Sequence, residues 1–158
     1  MTQFYVKPIG KIRICDEGMF VDVDKQYIQA LKELKGFSHL VVLWWFTECD
    51  TEKSRSILEI KNPYKNAPAV MGTFATRSPE RPNPVAISTA EILYLDEVKG
   101  VIQIAYIDAN DGSPIIDLKP YTPSLDRVQM PGVPAWCSHW PKSLEESGKF
   151  DWENELNF

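Results

Sequence analysis

Little in this chain could build a metal centre or a disulfide framework. It has three cysteines, Cys15, Cys49 and Cys137, an odd number without short paired spacing, and two histidines, His39 and His139. A secreted disulfide scaffold and a zinc knuckle both need more, so the thiols read as reduced and no metal is expected. Long apolar runs are missing too. The longest, Leu40 to Phe46 (LVVLWWF), falls far short of the roughly 18 residues of a membrane span, and the first residues lack the basic-then-apolar pattern of a secretory signal. The expectation is a cytoplasmic protein with no membrane partner. The eight glycines form neither G-x-G-x-x-G nor a phosphate-binding loop, which argues against a doubly wound nucleotide fold. No repeat, low-complexity tract or Gly/Ser linker divides the chain.

What is present fits one globular domain: 158 residues, 44% apolar and 25% charged. A net charge of -5 argues against a surface given over wholly to nucleic acid. Its distribution is uneven. Between Lys53 and Arg81 six basic residues (Lys53, Arg55, Lys61, Lys65, Arg77, Arg81) face Glu59 and Glu80, whereas from Glu145 onward five acids face Lys149. A local basic surface and an ordinary mixed surface are both compatible with this pattern.

The pattern of residues predicts short strands around one main helix. Phe4 to Ile14 reads as one or two strands interrupted near Pro8, and Met19 to Val23 alternates as a strand. Asp24 can cap a helix with Tyr27, Ile28, Leu31 and Leu34 on one side, closed by Gly36. Phe37 to Thr47 is β-branched and aromatic, hence a buried strand that sends Trp44 and Trp45 to opposite faces. Further strands are expected at Arg55 to Ile60, Val85 to Leu95, Val98 to Ile107 and Ile115 to Leu118, with a helical turn near Ser143 to Gly148. Seven or so strands without regular helix–strand alternation imply an all-β, mainly antiparallel, closed or nearly closed barrel. The expected organisation is a barrel over residues 1–140. A tail over 141–158, with Trp136, Trp140, Phe150, Trp152 and Phe158 nearby, would cover the barrel or join two subunits.

Two clusters could do chemistry. In Ala75-Thr-Arg-Ser-Pro-Glu-Arg-Pro-Asn-Pro84, three prolines fix φ and bias their predecessors toward extended conformations, so Arg77, Arg81 and Asn83 are pre-set to meet a ligand or to pair with local acids. In Asp108-Ala-Asn-Asp111-Gly-Ser-Pro-Ile-Ile-Asp117-Leu-Lys119-Pro-Tyr121, a turn at Asp111-Gly112 leads into an extended segment with Asp117 and Lys119 on one side. Its carboxylates could accept from ribose hydroxyls or an amine, and Lys119 could meet a phosphate or carboxylate. Both clusters could equally be turns with surface ion pairs. Ser38 and His39, as strand neighbours, should point to opposite faces, leaving His39 as a lone base or a packed histidine.

With these stretches in view, the chain resembles the TsaA-like, TrmO-type family of tRNA methyltransferases. The resemblance lies in Gly36-Phe-Ser-His-Leu40 before an aromatic strand, in Gly72-Thr-Phe-Ala-Thr-Arg-Ser-Pro-Glu-Arg-Pro-Asn-Pro-Val-Ala-Ile-Ser88, and in Asp111-Gly-Ser-Pro-Ile-Ile-Asp-Leu-Lys-Pro-Tyr121. It implies a homodimeric β-barrel that binds S-adenosylmethionine without a Rossmann sheet. The implied reaction is methylation of N6 of threonylcarbamoyladenosine beside the anticodon, with tRNA as partner. By position, cofactor contacts would fall on Thr47, Glu48, Arg77, Ile87, Ala105, Tyr106, Ile107 and Asp108. Arg81, Asn83, Lys119 and Tyr121 would bind substrate, and Asp111, Asp117 and His39 are the candidates for a base, although transfer followed by proton loss to water needs none. The short Arg13-Ile-Cys-Asp-Glu-Gly-Met19 stands where the family usually has a Pro-Arg or Pro-Gln loop, and Val85-Ala-Ile87 stands for Ile-Gly-Leu. A C-terminal domain of longer bacterial members is not matched, which would remove a tRNA-docking surface.

Overall fold

The protein is described by a computed structural model over residues 4–157. β1 (Gly10–Cys15) and β2 (Gly18–Val23) form a tight hairpin, β3 spans His39–Trp45, and β6 (Val85–Asp96), β7 (Val101–Ile104) and β8 (Pro114–Pro120) complete a closed barrel in the order β1-β2-β7-β6-β3-β8. Every pairing in it is antiparallel. β4 (Glu59–Lys61) and β5 (Val70–Gly72) form a separate two-stranded ribbon. Closing the sheet leaves no open edge in the barrel, which suits strands this short.

Alternation along the strands fills the interior. Ile12, Val21, Leu40, Val42, Ile102, Ile104 and Ile115 are fully or almost fully buried and form the core with Trp44 and Ala90. Each such aliphatic side chain contributes about 1.5–3 kcal/mol relative to exposure. The barrel closes where β1 meets β8, Gly10 opposite Ile115, and Gly10 also faces Val23. A β-carbon at Gly10 would lie 2.2 Å from the Asp22 carbonyl oxygen, so the close approach of β2 to β1 at this seam requires glycine.

Four sequence expectations are corrected here. Residues 4–9 are not a strand: Pro8 has no N–H to give a ladder, and regular pairing begins at Gly10. The helix expected from Asp24 is a 3-10 helix, Lys25–Leu31, and the Asp24 side chain does not cap it. Its backbone bonds run three residues back, Tyr27 N–H to Asp24 C=O at 2.8 Å, and it packs so closely on the barrel that Ile28 Cγ1 would lie 2.7 Å from a β-carbon at Gly100. The strand expected at Arg55 to Ile60 begins on the last residue of a helical turn, Glu52–Arg55 capped by Thr51, passes through Ser56 to Leu58 without regular structure, and only its end is β4. The strand expected at Val98 to Ile107 is shortened to Val101–Ile104, because Asp96 accepts from Val98 and Lys99 N–H and holds 97–100 in a turn. The other expected strands stand, with Trp44 buried and Trp45 turned outward, its indole N–H donating to Asp50 at 3.0 Å.

Residues 123–157 contain short helical turns, at Leu144–Ser147 and Trp152–Glu155 among others. Trp136, Trp140, Phe150 and Trp152 pack on one another and on Tyr64 of the loop between β4 and β5, with ring centroids 4.8–5.5 Å apart. Phe158 lies outside the described residues.

Candidate active site

A cavity of about 930 Å³ opens beside the barrel where three segments meet. The first is the 3-10 turn Thr47–Cys49, which begins as β3 leaves the sheet. Phe46 N–H donates to the Pro84 carbonyl at 2.9 Å, tying this turn to the end of the proline loop. Trp44 and Phe46, edge to face at 4.6 Å, supply an aromatic floor. Burial, then Glu80 and Glu48, push the Cys49 thiol above its ordinary pKa, so it stays protonated and is a poor nucleophile at neutral pH.

The second segment is the proline loop, whose stiffness has an internal brace. Arg81 donates to the carbonyls of Thr73 at 3.3 Å and Thr76 at 3.2 Å, and Thr76 Oγ1 donates to Thr73 C=O at 2.9 Å. Arg55 holds the far end through Pro82 C=O at 2.9 Å and Asp50 at 2.6 Å. Arg81 thus binds the loop and does not line the cavity. Arg77 does line it, and its guanidinium forms no hydrogen bond or ion pair among the described residues. A free guanidinium on a fixed backbone is suited to bidentate capture of a carboxylate or phosphate.

The third segment is the Asp-Gly turn before β8. One carboxylate oxygen of Asp111 accepts from Ile14 N–H at 2.8 Å, and Gly112 N–H donates to Ile12 C=O at 2.8 Å, latching the turn to β1. Gly112 has φ +78°, a conformation that side chains disfavour. Asp108, Asn110 and Asp111 face the cavity, and Glu48 and Asp108 have no ion-pair partner among the described residues.

The structure therefore brings together Thr47, Glu48, Arg77, Asp108 and Asp111. The other candidates lie elsewhere in the chain. Ile107 is in the core, whereas Ile87, Ala105 and Tyr106 are exposed outside this cavity. Asn83 is an exposed residue at the end of the loop. Asp117 and Lys119 share one side of β8, as expected, and pair with each other at 2.7 Å. His39 and Tyr121 line a second cavity of about 770 Å³. The expectation that Ser38 and His39 point apart is overturned, because Ser38 precedes the strand and its hydroxyl lies 2.8 Å from His39 Nδ1.

Sequence reasoning missed one wall of the first cavity: Pro63 and Tyr64 of the β4–β5 loop with Leu156 and Asn157 of the tail. Burial raises the Tyr64 phenol, an effect the Arg77 backbone and charge partly oppose. The available signal was a tyrosine between prolines in a chain whose tail is rich in tryptophan. Among the described residues no group of three or more His, Cys, Asp or Glu could hold a metal, and no helix is long and apolar enough to cross a membrane.

Residues 8–127 match the family model of the tRNA-methyltransferase O N-terminal domain. A probable S-adenosyl-L-methionine-binding protein of Methanocaldococcus jannaschii is 36% identical over 129 residues, 78% of this chain and 96% of the relative. An S-adenosyl-L-methionine-binding protein of Archaeoglobus fulgidus is 31% identical over 116 residues, 73% of this chain and 78% of its own. The tRNA (adenine(37)-N6)-methyltransferase of Escherichia coli is 36% identical over 103 residues, 63% of this chain but 42% of the enzyme. The crystal structure of TrmO from Pseudomonas aeruginosa superposes with a TM-score of 0.65 at 23% identity, over 85% of this chain and 62% of that one, a likeness of fold.

Proposed function

The chain belongs to the family of the tRNA-methyltransferase O N-terminal domain, and on that premise we propose that it is an S-adenosylmethionine-dependent methyltransferase acting on N6 of adenine in tRNA. The acceptor within that class is threonylcarbamoyladenosine next to the anticodon. One observation carries the reading: Arg77 of the proline loop and Asp108 and Asp111 of the Asp-Gly turn, distant in sequence, share one cavity with Thr47 and Glu48.

The residues present fit the cofactor. A free guanidinium suits its carboxylate, unpaired acids suit its amine, sulfonium and ribose hydroxyls, and the volume lies within the range of small-molecule sites. When bound, S-adenosylmethionine supplies the methyl group and keeps the electron pair of the broken carbon–sulfur bond as a neutral thioether. Arg77 holds the carboxylate end, and Glu48 and Asp108 accept from amine and hydroxyl groups. The braced loop fixes their orientation beforehand, which favours in-line approach of the acceptor nitrogen. Of the three candidate bases, Asp111 alone lines this cavity, and it can take the N6 proton on the oxygen that Ile14 does not occupy.

The assembly we infer is a cytoplasmic homodimer of barrels. Ile87, Leu93 and Tyr94 leave half their surface exposed on β6, and a second subunit would bring the outward-facing Ile87, Ala105 and Tyr106 to a ligand. Free Cys15, Cys49 and Cys137 suit a reducing compartment. Lys53 and Lys61, exposed beside the cavity loops, are available to phosphates, whereas Arg55 is already paired with Asp50.

A second reading has its own support: relatives matched over most of their length are named S-adenosyl-L-methionine-binding proteins, while the chain spans 42% of the named methyltransferase. In that reading the protein binds the cofactor without modifying tRNA. Incubation with methyl-labelled cofactor and tRNA bearing or lacking the threonylcarbamoyl group separates the two. Label in the modified tRNA alone is the expected result, and label in neither sinks the methyltransferase. Light scattering checks the dimer.

A further inference from the structure

The tail enters the cavity through residues beyond the family match, which ends at residue 127. Its attachment is built from several independent contacts. Leu156 forms an isolated β-bridge with Tyr64, Lys65 N–H donates to Glu155 C=O at 3.1 Å, and Asn157 N–H donates to Pro63 C=O at 3.3 Å. Asn157 Nδ2 donates to Asn62 C=O at 3.0 Å, and Lys65 Nζ reaches Asn154 Oδ1. Behind this seam the carboxylate of Glu155, 6% exposed, accepts from Trp140 Nε1 at 2.9 Å and contacts His139 Nε2 at 3.0 Å. Trp140 in turn packs edge-on against Tyr64 at 5.0 Å. A segment held in this way is a fixed wall.

The wall differs chemically from the rest of the cavity. Barrel ends and the proline loop supply Glu48, Arg77, Glu80, Asp108 and Asp111, whereas Pro63, Tyr64 and Leu156 are uncharged and largely apolar, flanked by the amides of Asn62 and Asn157. The Asn157 Oδ1 acceptor has no partner among the described residues. Apolar side chains beside an open amide acceptor match a flat heterocycle with an exocyclic amine, as adenine presents. We infer that Tyr64, Leu156 and Asn157 form an adenine-binding wall, in which Asn157 Oδ1 accepts from the exocyclic amine. This rests on the proposed function, and the ring the wall fits is the cofactor's adenine, whose amine is free; N6 of the acceptor carries the threonylcarbamoyl group, and its one remaining proton goes to Asp111.

Calorimetric titration of the full chain with S-adenosylhomocysteine and with S-inosylhomocysteine, whose ring carries a carbonyl in place of the amine, tests the wall. So does the KM for modified tRNA. Wild type, Asn157→Ala and Asn157→Asp are compared, because the aspartate keeps the acceptor oxygen but loses the donor to Asn62. If the wall seats the cofactor, wild type and Asn157→Asp prefer the adenosine ligand by about tenfold and Asn157→Ala loses that preference, as for one hydrogen bond with a mismatch penalty. An unchanged preference with a rise of about tenfold in the tRNA KM of Asn157→Ala would mean that the wall meets the RNA and would overturn the assignment to the cofactor's adenine. Equal losses in both variants would make Asn157 an anchor only, and no change in either would leave the wall without a ligand; both results overturn the inference while wild-type binding upholds the proposed function. Wild-type protein that binds no S-adenosylhomocysteine overturns both.

Discussion

The cavity that holds Arg77 and the one that holds His39 are comparable in size, about 930 and 770 Å³, but they are framed differently. The first is bounded by segments fixed at both ends: the Asp-Gly turn to β1, the proline loop to Arg55 and Arg81, the tail to the β4–β5 loop. Buried Ser54, Thr73, Thr76 and Ser113 lie along those frames. The second rests on the barrel at His39, Thr89 and Tyr121, but its outer side is residues 126–131, mostly without regular structure, where Val128 and Met130 are 70% and 88% exposed, and the turn at 142–145. Unpaired charge on rigid backbone marks a place where a ligand meets little reorganisation, whereas a softer frame with exposed apolar groups offers no such advantage.

The largest perturbation removes the frame that the barrel supplies. Gly10→Ala forces a methyl onto the Asp22 carbonyl and should cost about 3 kcal/mol, a drop of roughly 10 °C in melting temperature measured by calorimetry. A Tm within a degree or two of wild type would show that β1 can yield, and the contrast in rigidity would weaken.

The direct comparison is Arg77→Ala against His39→Ala. Loss of one charge-assisted bidentate contact should weaken S-adenosylmethionine binding about 10- to 100-fold in the first variant, whereas the second stays within twofold; isothermal titration reads both. The reverse order would move the cofactor to the His39 cavity.

Acid should loosen the wall of the first cavity. Hydrogen bonds from Trp140 and His139 hold the Glu155 carboxyl below its ordinary pKa of 4.5. A depressed acid contributes stability that is complete above its unfolded pKa and disappears as pH falls through the lower folded value. Tryptophan fluorescence should therefore report loss of the Trp140–Tyr64 packing below about pH 4.5, and Glu155→Gln should flatten that acid limb while lowering stability at neutral pH. An unchanged limb in the variant would assign the transition to other carboxylates.

The smallest effect is expected at the pair that belongs to neither cavity. Lys119, with 63% of its side chain exposed, pairs with Asp117 at the surface of β8. Lys119→Ala should change stability by less than about 0.5 kcal/mol in denaturant titration.

How far the sequence spoke depended on whether a segment's partners were near or far along the chain. β3 was legible because His39–Trp45 is β-branched and aromatic, a local property, and the proline loop because φ restriction is intrinsic to proline. The meeting of Arg77 with Asp108 and Asp111 was reached through a family resemblance. The 3-10 helix at Lys25–Leu31 defeated local reasoning, since its apolar spacing suits an α-helix and the tight packing of Ile28 over Gly100 is tertiary. The wall of Tyr64, Leu156 and Asn157 was invisible for the same reason: its bridge joins residues far apart, and composition names the aromatics without naming what they cover.

The pairing of Gly10 with Ile115 has a consequence for biosynthesis. The hairpin of β1 and β2 can form as soon as it leaves the ribosome, but its other neighbour is roughly a hundred residues away and emerges much later. Until then β1 presents a bare edge to solvent, and such non-local closure is intrinsically slow. The nascent chain should therefore need shielding by a holding chaperone through most of translation, and the barrel should snap shut late.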